Sequence, residues 1–344
     1  MRRLFGGLVL LCVLLLVPPP IPAEAAAPVS APPVKAKLKA ESKPGAKGAA
    51  KPAAVAFNSS EDILRFIDGY RAKPRPDQLG AVVKAMSRLG VFKDVESAGV
   101  YLGFVAGVLA ANPQKAEALV TAMFPMPPED QVAIIKAIAY SGLTDWKVLL
   151  GKFVERMPAR ATLIDRYLHD KLPTLEKMGL EVGPAALDAN WGFYFATGAP
   201  AAIRRIEAAL AWARDANDVD KLTVAGMAKW TLAKNATRDT DLLLLLKRDA
   251  ASQSKPVARE LAEVVEAVET FELGKLRKDS IARIDELKQK GPESKRNASW
   301  WAQAGTTALA LGCVTAAALG QVGFGIPCVI GGPLSTAASK LLIP

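Results

Sequence analysis

The chain is predicted to be all-α: an irregular stack of helix-turn-helix units followed by a Gly/Ala-rich apolar C-terminal hairpin. Three observations lead there. Apolar residues recur at three- and four-residue spacing almost without interruption from residue 58 to residue 290, as one face of a helix requires. No run of strand length alternates apolar and polar residues. The interruptions fall at Gly, Pro, Asn, Asp and Ser, residues that start and stop helices through capping or through their backbone geometry.

Residues 1–25 read as a signal peptide. Arg2 and Arg3 precede an apolar run from Leu4 to Val17, then Pro18-Pro19-Pro20 and the small-residue site Ala23-Glu24-Ala25. The run is 14 residues long, whereas a helix needs roughly 20 to cross a bilayer. Export with cleavage near Ala25 is therefore expected, giving a periplasmic or extracellular protein. The spacing is wrong for a lipoprotein, because Leu10-Leu11 stand before Cys12 where small residues are needed.

Residues 26–57 consist mainly of Ala, Pro, Lys, Gly, Val and Ser, with no aromatic before Phe57. Such a segment buries too little apolar area to offset its ordering entropy and is expected to be a disordered linker. It also explains the charge. Of the net +10, residues 1–25 carry +1, residues 26–57 carry +5 and the remainder only +4. The basicity sits in a tether, and no basic patch or recognisable module points to nucleic acid.

In the body, 58–292, the helices follow one another closely. Ser59-Ser60-Glu61-Asp62 opens the first as a capping box, and Ile63, Leu64, Phe66, Ile67 and Tyr70 share its face. Leu79, Val82, Val83, Met86 and Leu89 mark the second. Further helices are predicted at about 95–111, 114–124, 128–141, 145–156 and 159–171. After an irregular stretch from Pro173 to Pro184 come 186–196, 200–215, 219–234, 239–250, 256–277 and 280–290. Gly291-Pro292 ends the last.

One local pattern recurs: a large apolar residue, Ala, any residue, then a small or turn-forming residue. The copies are Leu109-Ala-Ala-Asn112, Ile138-Ala-Tyr-Ser141, Phe195-Ala-Thr-Gly198 and Leu232-Ala-Lys-Asn235. Each is read as closing one helix, with Asn or Gly suited to a left-handed C-terminal position. Across residues 60–275 the pattern resembles the helical-repeat solenoids of the tetratricopeptide or HEAT kind, although the tetratricopeptide spacing of Trp, Leu-Gly and Tyr is absent. The resemblance implies a surface for a protein or peptide partner.

Residues 293–344 differ in kind. From Asn297 to Ser339 there are 43 residues without one charge, entered through Trp300-Trp301. Two helices broken near Gly320–Gly325 are expected to form a hairpin, locked by a Cys313–Cys328 disulfide in an oxidising compartment. The alternative is membrane insertion or association through residues 300–343. The paired Trp favours that alternative. Lys288, Lys290, Lys295 and Arg296, which would precede the span on the exported side, oppose it.

Motifs that carry chemistry are sparse. The single histidine, His169, cannot furnish a multi-His metal site and is read as a satisfied surface or boundary residue. No G-x-S-x-G elbow, phosphate loop or dinucleotide fingerprint occurs, so no catalytic, metal or cofactor residue is assigned. Glu260, Glu263, Glu266, Glu269 and Glu272 recur every three residues and are read as a solvated helix face. An envelope hydrolase using such carboxylates, Glu263 or Glu266 among them, is the enzymatic alternative. Trp191, Phe193, Tyr194 and Phe195 form a cluster read mainly as core, with ligand stacking as its other possible use. The reading that follows is an exported, non-enzymatic helical scaffold or binding protein for an unidentified envelope protein or peptide, with membrane contact through the tail as the alternative.

Overall fold

The computed structural model describes residues 57–94, 97–215 and 217–289. The segments expected to be the signal peptide, nearly all of the linker and the C-terminal hairpin with Cys313 and Cys328 lie outside the described residues. Within them there are thirteen α-helices, short 3-10 turns and no strand. The chain is all-α, and its helices pack as a stack.

The first five helices are α1 (Ser60–Tyr70), α2 (Leu79–Arg88), α3 (Gly99–Ala111), α4 (Ala116–Met123) and α5 (Gln131–Tyr140). The short α6 (Trp146–Gly151) and α7 (Ala161–Leu168) lead to α8 (Pro184–Thr197) and α9 (Pro200–Ala208). The remaining four are α10 (Val219–Ala236), α11 (Thr240–Ala250), α12 (Lys255–Glu269) and α13 (Leu273–Gln289). Neighbours in sequence pack in succession, α5 on α6 and α6 on α7, then α8 on α9 and α11 on α12. Other pairs skip along the chain, α2 on α4, α3 on α5, and α10 on α12 and α13. The most extensive packing in the molecule is between α3 and α8, which join the first half of the body to the second.

Composition explains the centre. Helix α3 is apolar around its whole circumference, and every residue from Gly99 to Leu109 is buried. A helix without a polar face belongs inside. Its Gly99, Gly103 and Gly107 fall on one stripe against α8, and Gly192 answers from the other side. A Cβ built on Gly103 would lie 1.9 Å from the Ala189 carbonyl oxygen, and one on Gly192 would lie 1.9 Å from that of Val100. The two backbones are therefore in contact where side chains normally stand. A single apolar cluster surrounds them and runs from Phe57 to Leu276.

Helix ends follow the sequence in part. The Ser59 capping box is complete: the Asp62 amide donates to Ser59 Oγ at 3.2 Å and the Ser59 amide to Asp62 Oδ2 at 3.0 Å. Phe57, placed at the end of the linker from sequence, already packs edge-on against Phe66 with ring centroids 5.3 Å apart. Of the four recurrent closures, only Gly198 takes the left-handed conformation at the expected position (φ 68°). Ser141 passes that role to Gly142 (φ 70°), and Asn112 keeps a negative φ (−133°). Asn235 stays inside α10, its side-chain amide donating to the Thr231 carbonyl at 2.9 Å, so the helix runs on to Ala236. The helix expected over 256–277 stops at Glu269. Phe271 turns left-handed (φ 58°), and α13 starts at Leu273 rather than at Ser280. Among the described residues no helix is long and apolar enough to cross a membrane.

Candidate functional site

The residues singled out from sequence separate cleanly. Trp191 is fully buried on α8, its ring stacked on Phe195 at 5.6 Å and its indole N–H donating to Thr231 Oγ1 at 2.9 Å. Tyr194 is also buried. Phe193 is half-buried, and its backbone packs against Gly107 of α3. Phe195 is half-buried as well and forms part of the wall of an open cleft of about 400 Å3. His169 is exposed and faces Asp165, with Nδ1 3.0 Å from Oδ1.

The cleft lies where the ends of α1 and α10 meet the start of α11. Its wall carries Asp68, Arg71, Phe195, Arg238, Asp239 and Asp241. Asp239 organises the floor. As N-cap of α11 it accepts the Leu242 amide on Oδ1 at 3.1 Å. Its Oδ2 accepts Arg71 Nη2 at 2.6 Å and the Tyr194 hydroxyl at 2.9 Å. The Arg71 guanidinium carbon also lies 4.9 Å from the centre of the Tyr194 ring. Burial opposes ionisation of Asp239, but these hydrogen bonds and the Arg71 charge outweigh it and hold the carboxyl below the usual range. Tyr194 is pushed up to about 12, first by burial and then by the neighbouring Asp239. The floor is thus a fixed Arg–Asp–Tyr set at neutral pH.

The rim is looser. Arg238 Nη2 donates to Asp68 Oδ2 at 3.2 Å, and both side chains are more than a third exposed. An exposed pair of this kind contributes about 0–1 kcal/mol and rearranges readily. Asp241, in the first turn of α11, makes no ion pair among the described residues. Three carboxylates therefore face two guanidinium groups around an aromatic wall.

Replacing Asp239 with Ala removes a helix cap and the shared acceptor of Arg71 and Tyr194. It is expected to lower unfolding stability by about 2 kcal/mol, the cap contributing most. Urea denaturation of D239A beside T240A checks this, and equal midpoints would refute the role given to Asp239.

The glutamate row needs correction. Glu260 is fully buried, not solvated. Its carboxylate accepts Lys229 Nζ at 2.7 Å and Arg214 Nε at 2.8 Å. Lys229 is itself buried and also bonds Glu263. Burial alone would raise Glu260, but Lys229 and Arg214 together bring it down to about 2. A carboxylate so saturated is a strut between α10 and α12. The three-residue spacing slides around the axis of α12, which is why Glu260 faces inward while Glu266 and Glu269 face solvent; Glu272 is exposed in the link to α13.

Sequence reasoning missed Arg71, Asp68, Arg238 and Asp239. Arg238-Asp239-Thr240-Asp241 carries a local N-cap signal, yet nothing local couples Asp239 to Arg71, 168 residues away. A second buried pair, Glu207 on α9 and Asp249 on α11, was equally silent. Asp249 accepts Arg204 Nε at 2.9 Å and Arg248 Nε at 3.2 Å. Glu207 accepts only Gln253 Nε2, at 3.1 Å, and leaves Oε1 unpartnered among the described residues. Among the described residues no group of three His, Cys, Asp or Glu side chains is placed to hold a metal ion. No protein-family model, curated protein or solved structure matches the chain.

Proposed function

We propose that the protein is exported and acts in the cell envelope as a non-catalytic binding module. Its helical body would hold a protein or peptide through the cleft between α1, α10 and α11. The observation that carries this reading is the contrast between floor and rim. Arg71, Asp239 and Tyr194 are locked together by short hydrogen bonds, while Asp68, Arg238 and Asp241 stand at the surface with spare donors and acceptors. A rigid base under a few adjustable polar groups and one aromatic wall suits recognition, because little ordering entropy remains to be lost on binding. Export rests on the sequence of residues 1–25.

Photo-cross-linking in cells tests the whole reading. A photoreactive residue at Thr240, in the cleft, is expected to give discrete adducts in the envelope fraction. The same residue at Val148, an exposed position on α6 away from the cleft, is expected to give none of them. Identical adduct patterns from both sites, or a chain confined to the cytoplasm with residues 1–25 intact, would refute the proposal.

A further inference from the structure

We infer that the protein docks on a membrane surface rich in anionic phospholipid, through the face made by α9, the end of α11 and the start of α12. Four arginines there are held in one common way. Arg204 and Arg248 donate to the two oxygens of the buried Asp249 at 2.9 and 3.2 Å. Arg214 and Arg259 share Oε1 of the buried Glu260 at 2.8 and 3.2 Å. The donor is Nε each time. Arg204, Arg248 and Arg259 are 49%, 64% and 51% exposed, and their Nη groups have no partner among the described residues. A buried carboxylate thus fixes the inner end of each guanidinium and leaves its outer donors to solvent. Such a preset donor pair matches the oxygens of a phosphate and loses little entropy on binding.

The surface between the arginines is low and carries few carboxylates. From Pro200 to Arg214 every exposed residue is Pro, Ala or Arg. Ala251 and Ala262 are exposed beside Arg248 and Arg259, and Lys255 adds a further exposed charge. Glu263 is taken up by Arg214 and the buried Lys229, and Glu266, two turns after Arg259, bounds the face. An even, alanine-paved surface under several guanidinium groups suits a plane of headgroups. A second observation, independent of the arginines, points the same way. Arg283 of α13 donates to the Ala213 carbonyl at 2.9 Å, which ties α13 next to Arg214. Six residues later, roughly 9 Å along the helix, α13 ends at Gln289. The sequence then supplies Lys290, Lys295 and Arg296, Trp300-Trp301 and the uncharged run to Ser339. Basic residues followed by interfacial Trp and apolar chain are a second membrane signal, issuing beside the first. A seat on the surface requires no crossing, so the charges that oppose a span favour this arrangement. No residue of the cleft wall belongs to the face, and neither assignment depends on the other.

Co-sedimentation of the chain from residue 26 onward with two kinds of vesicle tests this: phosphatidylcholine alone, and equal parts phosphatidylcholine and phosphatidylglycerol. Binding to the mixed vesicles is expected to be tighter by about tenfold or more. Arg248→Gln combined with Arg259→Gln leaves Arg204 on Asp249 and Arg214 on Glu260, so the thermal midpoint should hold. Affinity for mixed vesicles should nevertheless fall by about tenfold. Lys84→Gln combined with Lys115→Gln removes the same charge from exposed positions on α2 and ahead of α4 and should bind as the parent does. If the first double variant loses its thermal transition, Lys255→Gln decides alone, with an expected loss of about threefold. Equal binding to both vesicle types would overturn the inference, as would equal losses from the two double variants or no loss from Lys255→Gln. Capture of soluble inorganic polyphosphate without binding to mixed vesicles would overturn it as well, by assigning the face to a free anion.

Discussion

Gly192→Ala is expected to cost more than about 3 kcal/mol of unfolding stability, a large share of the 5–15 kcal/mol of a typical domain. The added methyl would sit 1.9 Å from the Val100 carbonyl oxygen and 2.6 Å from the Phe104 amide nitrogen. Both are backbone atoms of a buried helix, so no side-chain rotation relieves the clash and α3 and α8 must separate. Separation strips packing from the most heavily contacted pair in the molecule. The matched control is Gly69→Ala on α1, where a Cβ meets nothing within 4 Å. There the same chemical change should stabilise by up to about 1 kcal/mol through helix propensity alone. Urea denaturation of both variants decides it. Two shifts of the same sign would mean that α3 and α8 are not in backbone contact.

Stability should also fall as pH rises from about 4.5 to about 7, the reverse of the usual carboxylate effect. Glu207 causes this. It is fully buried, and desolvation first, then the Asp249 charge, push it up to about 7 from the ordinary glutamate value of 4.5; Gln253, Arg204 and Arg248 offset only part. The sign follows from proton counting. Between those two values the folded protein holds a proton on Glu207 that the unfolded chain has released. Stability present below the unfolded value is therefore lost as pH climbs through the folded one, by roughly 3 kcal/mol at most. Glu207→Gln keeps the shape without the charge. Its denaturation midpoint should exceed wild type at pH 8 and converge with it at pH 5. Parallel pH profiles for the two proteins would rule the assignment out. Glu260 acts in the opposite sense, since its pairs with Lys229 and Arg214 weaken only as pH falls from about 4.5 towards 2.

How much of this was legible beforehand depends on whether the signal is local. Helix positions were, because burying a face imposes its period on every turn: Ile63, Leu64, Phe66, Ile67 and Tyr70 are all buried as their spacing indicates. Helix ends were less so. Asn235 and Gly198 close the same sequence pattern, but only the glycine occupies a left-handed position at no steric cost. The stripe of Gly99, Gly103 and Gly107 repeats every fourth residue and is visible in the sequence, though its partner Gly192 is not adjacent to it. The cleft was hidden for a stronger reason. Asp68, Arg71 and Asp239 are ordinary surface-type residues, and only the fold brings the first helix to the start of the eleventh. Glu260 misled because it alone of the row is fully buried, against Lys229 and Arg214, while Glu263 is partly exposed and Glu266, Glu269 and Glu272 are exposed.

The pairing of α3 with α8 also has a consequence for time. The innermost helix of the body finds its principal partner only after α4 to α7 have been made. During synthesis, or any vectorial passage of the chain, α3 would wait as a fully apolar segment with its glycine stripe open. Non-local contacts of this kind slow the committed folding step, and exposed apolar surface in the interval invites aggregation. A chain built in this way depends on whatever shelters its first half until the second arrives.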